Sequence, residues 1–140
     1  MSVKLSNIIF LPENSGFMDA LQEAQDELTL KTSWSLGKLK KKIQQTQKQF
    51  VQKHGELLNA AAQKDENGKL KFSEDGKRVL LEEDKITDFN KQFAELVGIT
   101  EEYEHTPPAV DLSVLGEKKG SLVDSLLLLE EAGVIEIKEK

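Results

Sequence analysis

The sequence predicts a mostly α-helical chain with a small α+β part toward its C-terminal end. Three observations lead there. Apolar residues recur at helical spacing over residues 17–28 and again over roughly 33–62. Beyond residue 64 the pattern changes to short alternating runs punctuated by Gly and Pro, as in short strands and turns. Aromatics are only 6% of the 140 residues, so the core is expected to be thin and aliphatic.

Residues 3–10 form an apolar start that fits either a short strand or a helical turn. Pro12, Asn14 and Gly16 break it. Phe17, Ala20, Leu21, Ala24 and Leu28 then fall on one helical stripe, with Asp19, Glu23, Asp26 and Glu27 on the other faces. Leu28 to Thr32 reads as a connector, and Thr32 or Ser33 as an N-cap. A long helix follows over roughly 33–62, about 45 Å at 1.5 Å per residue. Within it Leu36, Ile43, Phe50 and Leu57 are spaced by sevens, the period of a coiled-coil seam. Thr46 and Gln47 dilute the seam, and His54 stands where another apolar residue would go. Two helices joined by a short linker imply an N-terminal antiparallel helical hairpin.

Asp65-Glu66-Asn67-Gly68 is a strong turn signal. Leu70 and Phe72, then Val79 and Leu81, flank Ser73-Glu74-Asp75-Gly76 and predict a β-hairpin. Asp84 is a candidate cap for a helix carrying Ile86, Phe89, Phe93, Leu96 and Val97, with Gly98 suited to its C-terminal end. Pro107 and Pro108 stiffen a link. Val110, Leu112 and Val114 alternate as a short strand. A leucine-rich helix runs from Gly120 and Ser121 to about Glu131, and Gly133 closes it before a terminal strand at Val134, Ile135 and Ile137. The expected organisation is a helical hairpin over residues 1–64 and a smaller α+β part over 65–140, packed as one folding unit.

Composition removes several function classes. The chain has no Cys, which excludes disulfides, thiolate nucleophiles and Cys-based zinc sites. Two histidines, His54 and His105, offer little for an imidazole metal site. The longest apolar runs are four residues, so no segment is expected to span a membrane, and the first residues lack a signal-peptide layout. A soluble, cytosol-compatible protein is expected. The net charge of −6 hides an asymmetry. Residues 1–30 set five carboxylates against Lys4, a net of −4; residues 31–64 set eight lysines against Glu56, a net of +7; residues 65–140 carry a net of −9. The basic helix is expected chiefly to compensate its acidic neighbours within the fold. Lys38, Lys40, Lys41 and Lys42 also form a candidate basic patch for phosphates or an acidic partner. Trp34 lies one turn before Lys38 and is expected to cover the hairpin end rather than stack on a ligand.

No catalytic set emerges. Ser35 and Lys38 satisfy Ser-x-x-Lys, but two fixed residues without a companion motif point to an exposed helix start. Gly116 to Ser121 looks like a phosphate loop with its second Gly one residue early and no Lys after it. His54 reads as a structural histidine on the apolar stripe, and His105 as a loop residue. Glu101, Glu102 and Glu104 with Asp111 surround Tyr103 in a spacing that matches no EF-hand loop, hence a solvated acidic face.

The run Leu28-Thr29-Leu30-Lys31-Thr32-Ser33-Trp34-Ser35-Leu36-Gly37-Lys38-Leu39 enters a Lys- and Gln-rich helix. That helix carries Phe50 and Lys53-His54-Gly55. Asp65-Glu66-Asn67-Gly68, the helix with Phe89 to Val97, Val110 to Leu115 and a closing leucine-rich helix follow in order. This succession resembles a family of small uncharacterised proteins of tailed bacteriophages and prophages, over nearly the whole chain. The chain departs from it at Leu11 to Gly16, which breaks what is usually a continuous first helix, and at residues 57–64, which lengthen the second. The resemblance implies a phage-encoded accessory or structural protein, located in the host bacterial cytoplasm or the virion, and carries over no functional residue.

The function expected is therefore a non-enzymatic interaction protein without a cofactor or metal, most consistent with a virion, tail or assembly component. It would use the face Leu36, Ile43, Phe50 and Leu57 to meet protein partners or copies of itself. The alternatives are an early phage factor that binds a host protein or a signalling ligand, and nucleic-acid binding by the basic helix face, which the acidic remainder disfavours.

Overall fold

A computed structural model describes residues 2–111 and 120–138. It is mostly α, with a small β component: β1 (Ser2–Ser6), α1 (Gly16–Glu27), α2 (Leu30–Ala61), α3 (Ile86–Gly98), β2 (Thr100–Glu104), β3 (Ala109–Asp111), α4 (Gly120–Glu131) and β4 (Glu136–Lys138). Single 3-10 turns lie at Asn7–Phe10, Pro12–Asn14 and Glu83–Lys85. The chain divides into two compact units: Met1–Gln47 with Thr100–Lys140, and Lys48–Ile99. The division expected at residue 64 is thus replaced by two others, one of which falls inside α2. The reason is that the last third of the chain returns to the first third, so the N-terminal helices take their core partners from the far end of the sequence.

In the first unit, β1 alternates exposed Ser2 and Lys4 with buried Val3 and Leu5, the signature of a half-buried strand. It pairs antiparallel with β2, Val3 facing Tyr103. Ser6 ends the strand and its hydroxyl accepts from the Ile8 amide at 3.2 Å, so the start of the chain is both a strand and a helical turn. Helix α1 buries the foreseen stripe Phe17, Ala20, Leu21 and Ala24. It lies closest against α4, where Ser125 Oγ donates to Glu23 Oε2 at 3.1 Å.

Only Leu28 and Thr29 separate α1 from α2. The second helix therefore starts two residues before the expected Thr32 cap and three before Ser33. Thr29 carries the entry: its carbonyl accepts from the Ser33 amide at 2.8 Å and its hydroxyl donates to that of Thr32 at 3.2 Å. The Lys40 ammonium donates to the Gln22 side chain, and the Gln25 amide lies against Gly37. Those two pairs run in opposite directions along the helices, as in an antiparallel hairpin. Gly37 permits the approach, since a Cβ there would stand 3.0 Å from Gln25 Nε2.

Helix α4 closes in a Schellman motif. Gly133 has φ +81°, its amide donates to Glu130 O at 2.9 Å, and the Val134 amide donates to Leu129 O at 2.9 Å. Leu129 and Val134 are both fully buried, the apolar contact that accompanies such a cap. The chain then forms β4, which pairs parallel with β3. The unit's core gathers β1, α1, the first half of α2, β2 and α4 around Leu21, Leu36, Leu39, Ile43, Leu126 and Leu129. The expected continuation of β3 through Leu112 and Val114, and the loop from Gly116 to Lys119, lie outside the described residues.

The second unit is built on the later part of α2. Three short segments pair antiparallel through single bridges: Ala62 with Leu81, Lys64 with Leu70, and Phe72 with Val79. The expected hairpin is there, and the exit of α2 adds a third segment to it. Its turns follow their sequences. Asp65 Oδ1 accepts from the amides of Asn67 at 2.8 Å and Lys69 at 3.0 Å, and Gly68 takes φ +78°. Helix α3 begins after Lys85 rather than at an Asp84 side-chain cap, because the 3-10 turn Glu83–Lys85 leads into it. Gly98 is its last helical residue and does not adopt a left-handed conformation; Ile99 continues in extended form toward β2.

Candidate functional site

The seam does not survive as a free face. Leu36 and Ile43 are 0% exposed and Phe50 is 6% exposed. Leu36 and Ile43 belong to the core of the first unit. In the second unit Phe50 lies 6.3 Å, ring to ring, from Phe93. Leu57 alone is half-buried. The sevenfold spacing reflects packing inside the chain, so Leu36, Ile43 and Phe50 are not offered to a partner. His54 completes the aromatic cluster, 4.7 Å from Phe93, 6.2 Å from Phe50 and 6.3 Å from Phe89. Burial among these rings holds its pKa below the ordinary value.

The basic patch is split by helical geometry. Lys40 turns to Gln22 of α1, and Lys41 is exposed. Lys38 and Lys42 line one cavity of about 400 Å³ within the first unit, together with Trp34 and Ser35. Residues 34, 38 and 42 sit at i, i+4 and i+8, one stripe of the helix. Trp34, expected to cover the hairpin end, is 70% exposed instead.

The opposite wall comes from the end of β2: Glu104, His105 and Thr106. Tyr103 faces inward and its hydroxyl shares a hydrogen bond with Thr46; burial raises its pKa. The strand's alternation leaves the Glu102 and Glu104 side chains exposed. Ser2 Oγ donates to Glu102 Oε1 at 2.5 Å. His105, read from sequence as a loop residue, is buried, with 7% exposure. Its Nε2–H donates to Val134 O at 2.7 Å, because a carbonyl can only accept. In the neutral ring the lone pair is therefore on Nδ1. Burial lowers the pKa of His105, Lys42 lowers it further, and the bond to Val134 works the other way. Lys42 Nζ donates to the Glu104 carbonyl at 2.8 Å, tying the helix to this wall.

The cavity brings Ser35, Lys38 and His105 together, three residue types able to serve nucleophilic chemistry. The Nε2 of His105 is already committed to Val134, so that nitrogen is not available as a base for Ser35. The lining also combines two cations, an indole and two hydroxyls, groups able to bind a ligand. Glu104 to Thr106 carry no local sequence signal for such a role, since the β1–β2 pairing places them. The signal that was readable was the four-residue spacing of Trp34, Lys38 and Lys42.

The second unit carries two further cavities along the later part of α2 and α3. One of about 570 Å³ is bordered by Leu57, Ala61, Phe89 and Lys85; a more apolar one of about 370 Å³ is bordered by Leu57, Leu96 and Ile99. Among the described residues no group of three or more His, Asp or Glu side chains is gathered to hold a metal ion, and no helix is long and apolar enough to cross a membrane. No family model, no curated protein and no solved structure matches this chain.

Proposed function

We propose that this chain is a non-enzymatic interaction protein, of the phage accessory or assembly kind that the sequence resemblance implies, and that it meets other protein through apolar side chains of its second unit. One observation supports this reading. That unit's buried apolar residues are Phe50, Ala61 and Ala62, whereas Val51, Phe72, Ile86 and Ile99 stay in water, Phe72 at 53% exposure. Wet apolar surface of this kind is stabilised by covering it, and an interface does so. A second copy of the chain is the partner the reading names first.

Size exclusion with light scattering over a range of concentrations tests it. The expected result is a concentration-dependent assembly that Phe72→Ser with Ile99→Ser dissociates. A monomer at every concentration would overturn the self-association. Recovery of the chain in purified virions tests the assembly role, and its absence there would overturn that part. A second reading, capture of a small ligand, is favoured by the cavity beside Trp34.

A further inference from the structure

We propose that the cavity between α2 and the end of β2 is a nucleotide site, in which the Trp34 indole stacks on the base and Lys38 and Lys42 hold the phosphate. The site lies wholly in the first unit and stands apart from the interaction surface proposed for the second.

The cavity's volume, about 400 Å³, falls in the range of small-molecule pockets. Trp34 presents its ring to water at 70% exposure, although an indole is among the largest apolar surfaces a chain can bury. A base stacked on it would remove that exposure. One and two turns further along the same stripe come the ammonium groups of Lys38 and Lys42. The spacing fits a ligand with an aromatic ring at one end and an anion at the other.

The far wall is fixed before any ligand arrives. His105 is held by the Val134 carbonyl, and Val134 is the buried residue that follows the Gly133 cap of α4. Lys42 gives one of its three donors to the Glu104 carbonyl and keeps two. Prior order of this kind lowers the entropy lost on binding. Inorganic phosphate would use only the two lysines. A nucleotide adds partners that phosphate lacks: its base meets Trp34, and its ribose hydroxyls and exocyclic amine meet Glu104, Ser35 and Thr106, which share the lining.

Trp34 is the sole tryptophan, so its fluorescence reads this cavity directly. The full chain is titrated with AMP, adenosine, inorganic phosphate and a single-stranded oligonucleotide. The expected result is saturable quenching by AMP, with adenosine and phosphate each weaker by about tenfold or more, the loss of one charged hydrogen-bonding set or of the stack. Lys38→Gln, at an exposed position, is expected to weaken AMP by about tenfold with unchanged melting temperature, and Lys48→Gln, on the same helix outside the cavity, to leave it unaltered. In a proton NMR titration AMP is expected to raise the pKa of His105 and leave His54, in the other unit, unmoved. The proposal is overturned by no saturable quenching at about millimolar AMP, by adenosine or phosphate binding as well as AMP, or by Lys48→Gln weakening AMP as much as Lys38→Gln. It is also overturned by an oligonucleotide that binds more tightly than AMP with steep salt dependence, which would make the stripe a nucleic-acid surface.

Discussion

Replacing Leu36 by alanine should destabilise the first unit's core rather than weaken an interface. Leu36 is 0% exposed and packs in the cluster with Leu21, Leu39, Ile43 and Leu126. Removing three carbons costs about 2.4 kcal/mol at about 0.8 kcal/mol per methylene. The cavity left behind brings the total to about 3–5 kcal/mol. That is a large share of the roughly 5–15 kcal/mol that holds a domain folded. With a urea slope of about 2 kcal/mol per molar, the midpoint should fall by about 1.5–2.5 M. Trp34, two residues away, reports the transition by fluorescence, and circular dichroism checks that the helices leave with it. The same measurement on Leu57→Ala, at a half-buried position, should lose only about 1 kcal/mol. Both are run at two protein concentrations to separate folding from association. A Leu36→Ala chain with an unmoved midpoint and a changed oligomeric state would refute the argument and restore the seam as a contact face.

Three further outcomes follow from backbone and titration. Gly55 lies inside α2 with open space where a Cβ would go, so Gly55→Ala should stabilise by about 1 kcal/mol in a urea titration. Gly133 has φ +81° in the α4 cap, so Gly133→Ala should destabilise by about 1–2 kcal/mol despite open space around it, read as a lower melting temperature. Both histidines are held below their ordinary 6.5 by burial. The unfolded chain therefore takes up protons near pH 6.5 while the folded chain does not, and stability falls as pH drops below 6.5 until the folded values are passed. His54→Phe keeps a ring in the aromatic cluster and removes one proton site. Its melting temperature relative to the parent should rise between about pH 7.5 and about pH 5.5, and an unchanged difference would refute the titration argument.

Helix identity was legible in the sequence because it depends on local spacing. The stripe Phe17, Ala20, Leu21 and Ala24 is the buried face of α1. The Asp65–Gly68 and Ser73–Gly76 turns form where their side chains and glycines require, and Gly133 closes α4. The departures are equally physical. Thr100 to Glu104 became a strand because β1 supplies the ladder partners. Four of its five side chains are exposed, so no hydrophobic pattern announced it.

What the sequence alone determined is the set of helices, the thin aliphatic core and the absence of thiol and disulfide chemistry, all consequences of residue type and short-range periodicity. Tertiary structure decided who meets whom. A sevenfold seam looks the same whether it faces a second chain or its own fold, since burial depends on residues scores of positions away. Here α1, β1, β2 and α4 close over its first half. The same return of the chain sets Glu104, His105 and Thr106 opposite Trp34, Lys38 and Lys42. No spacing rule along the sequence could join them, because a strand pairing made that distance short.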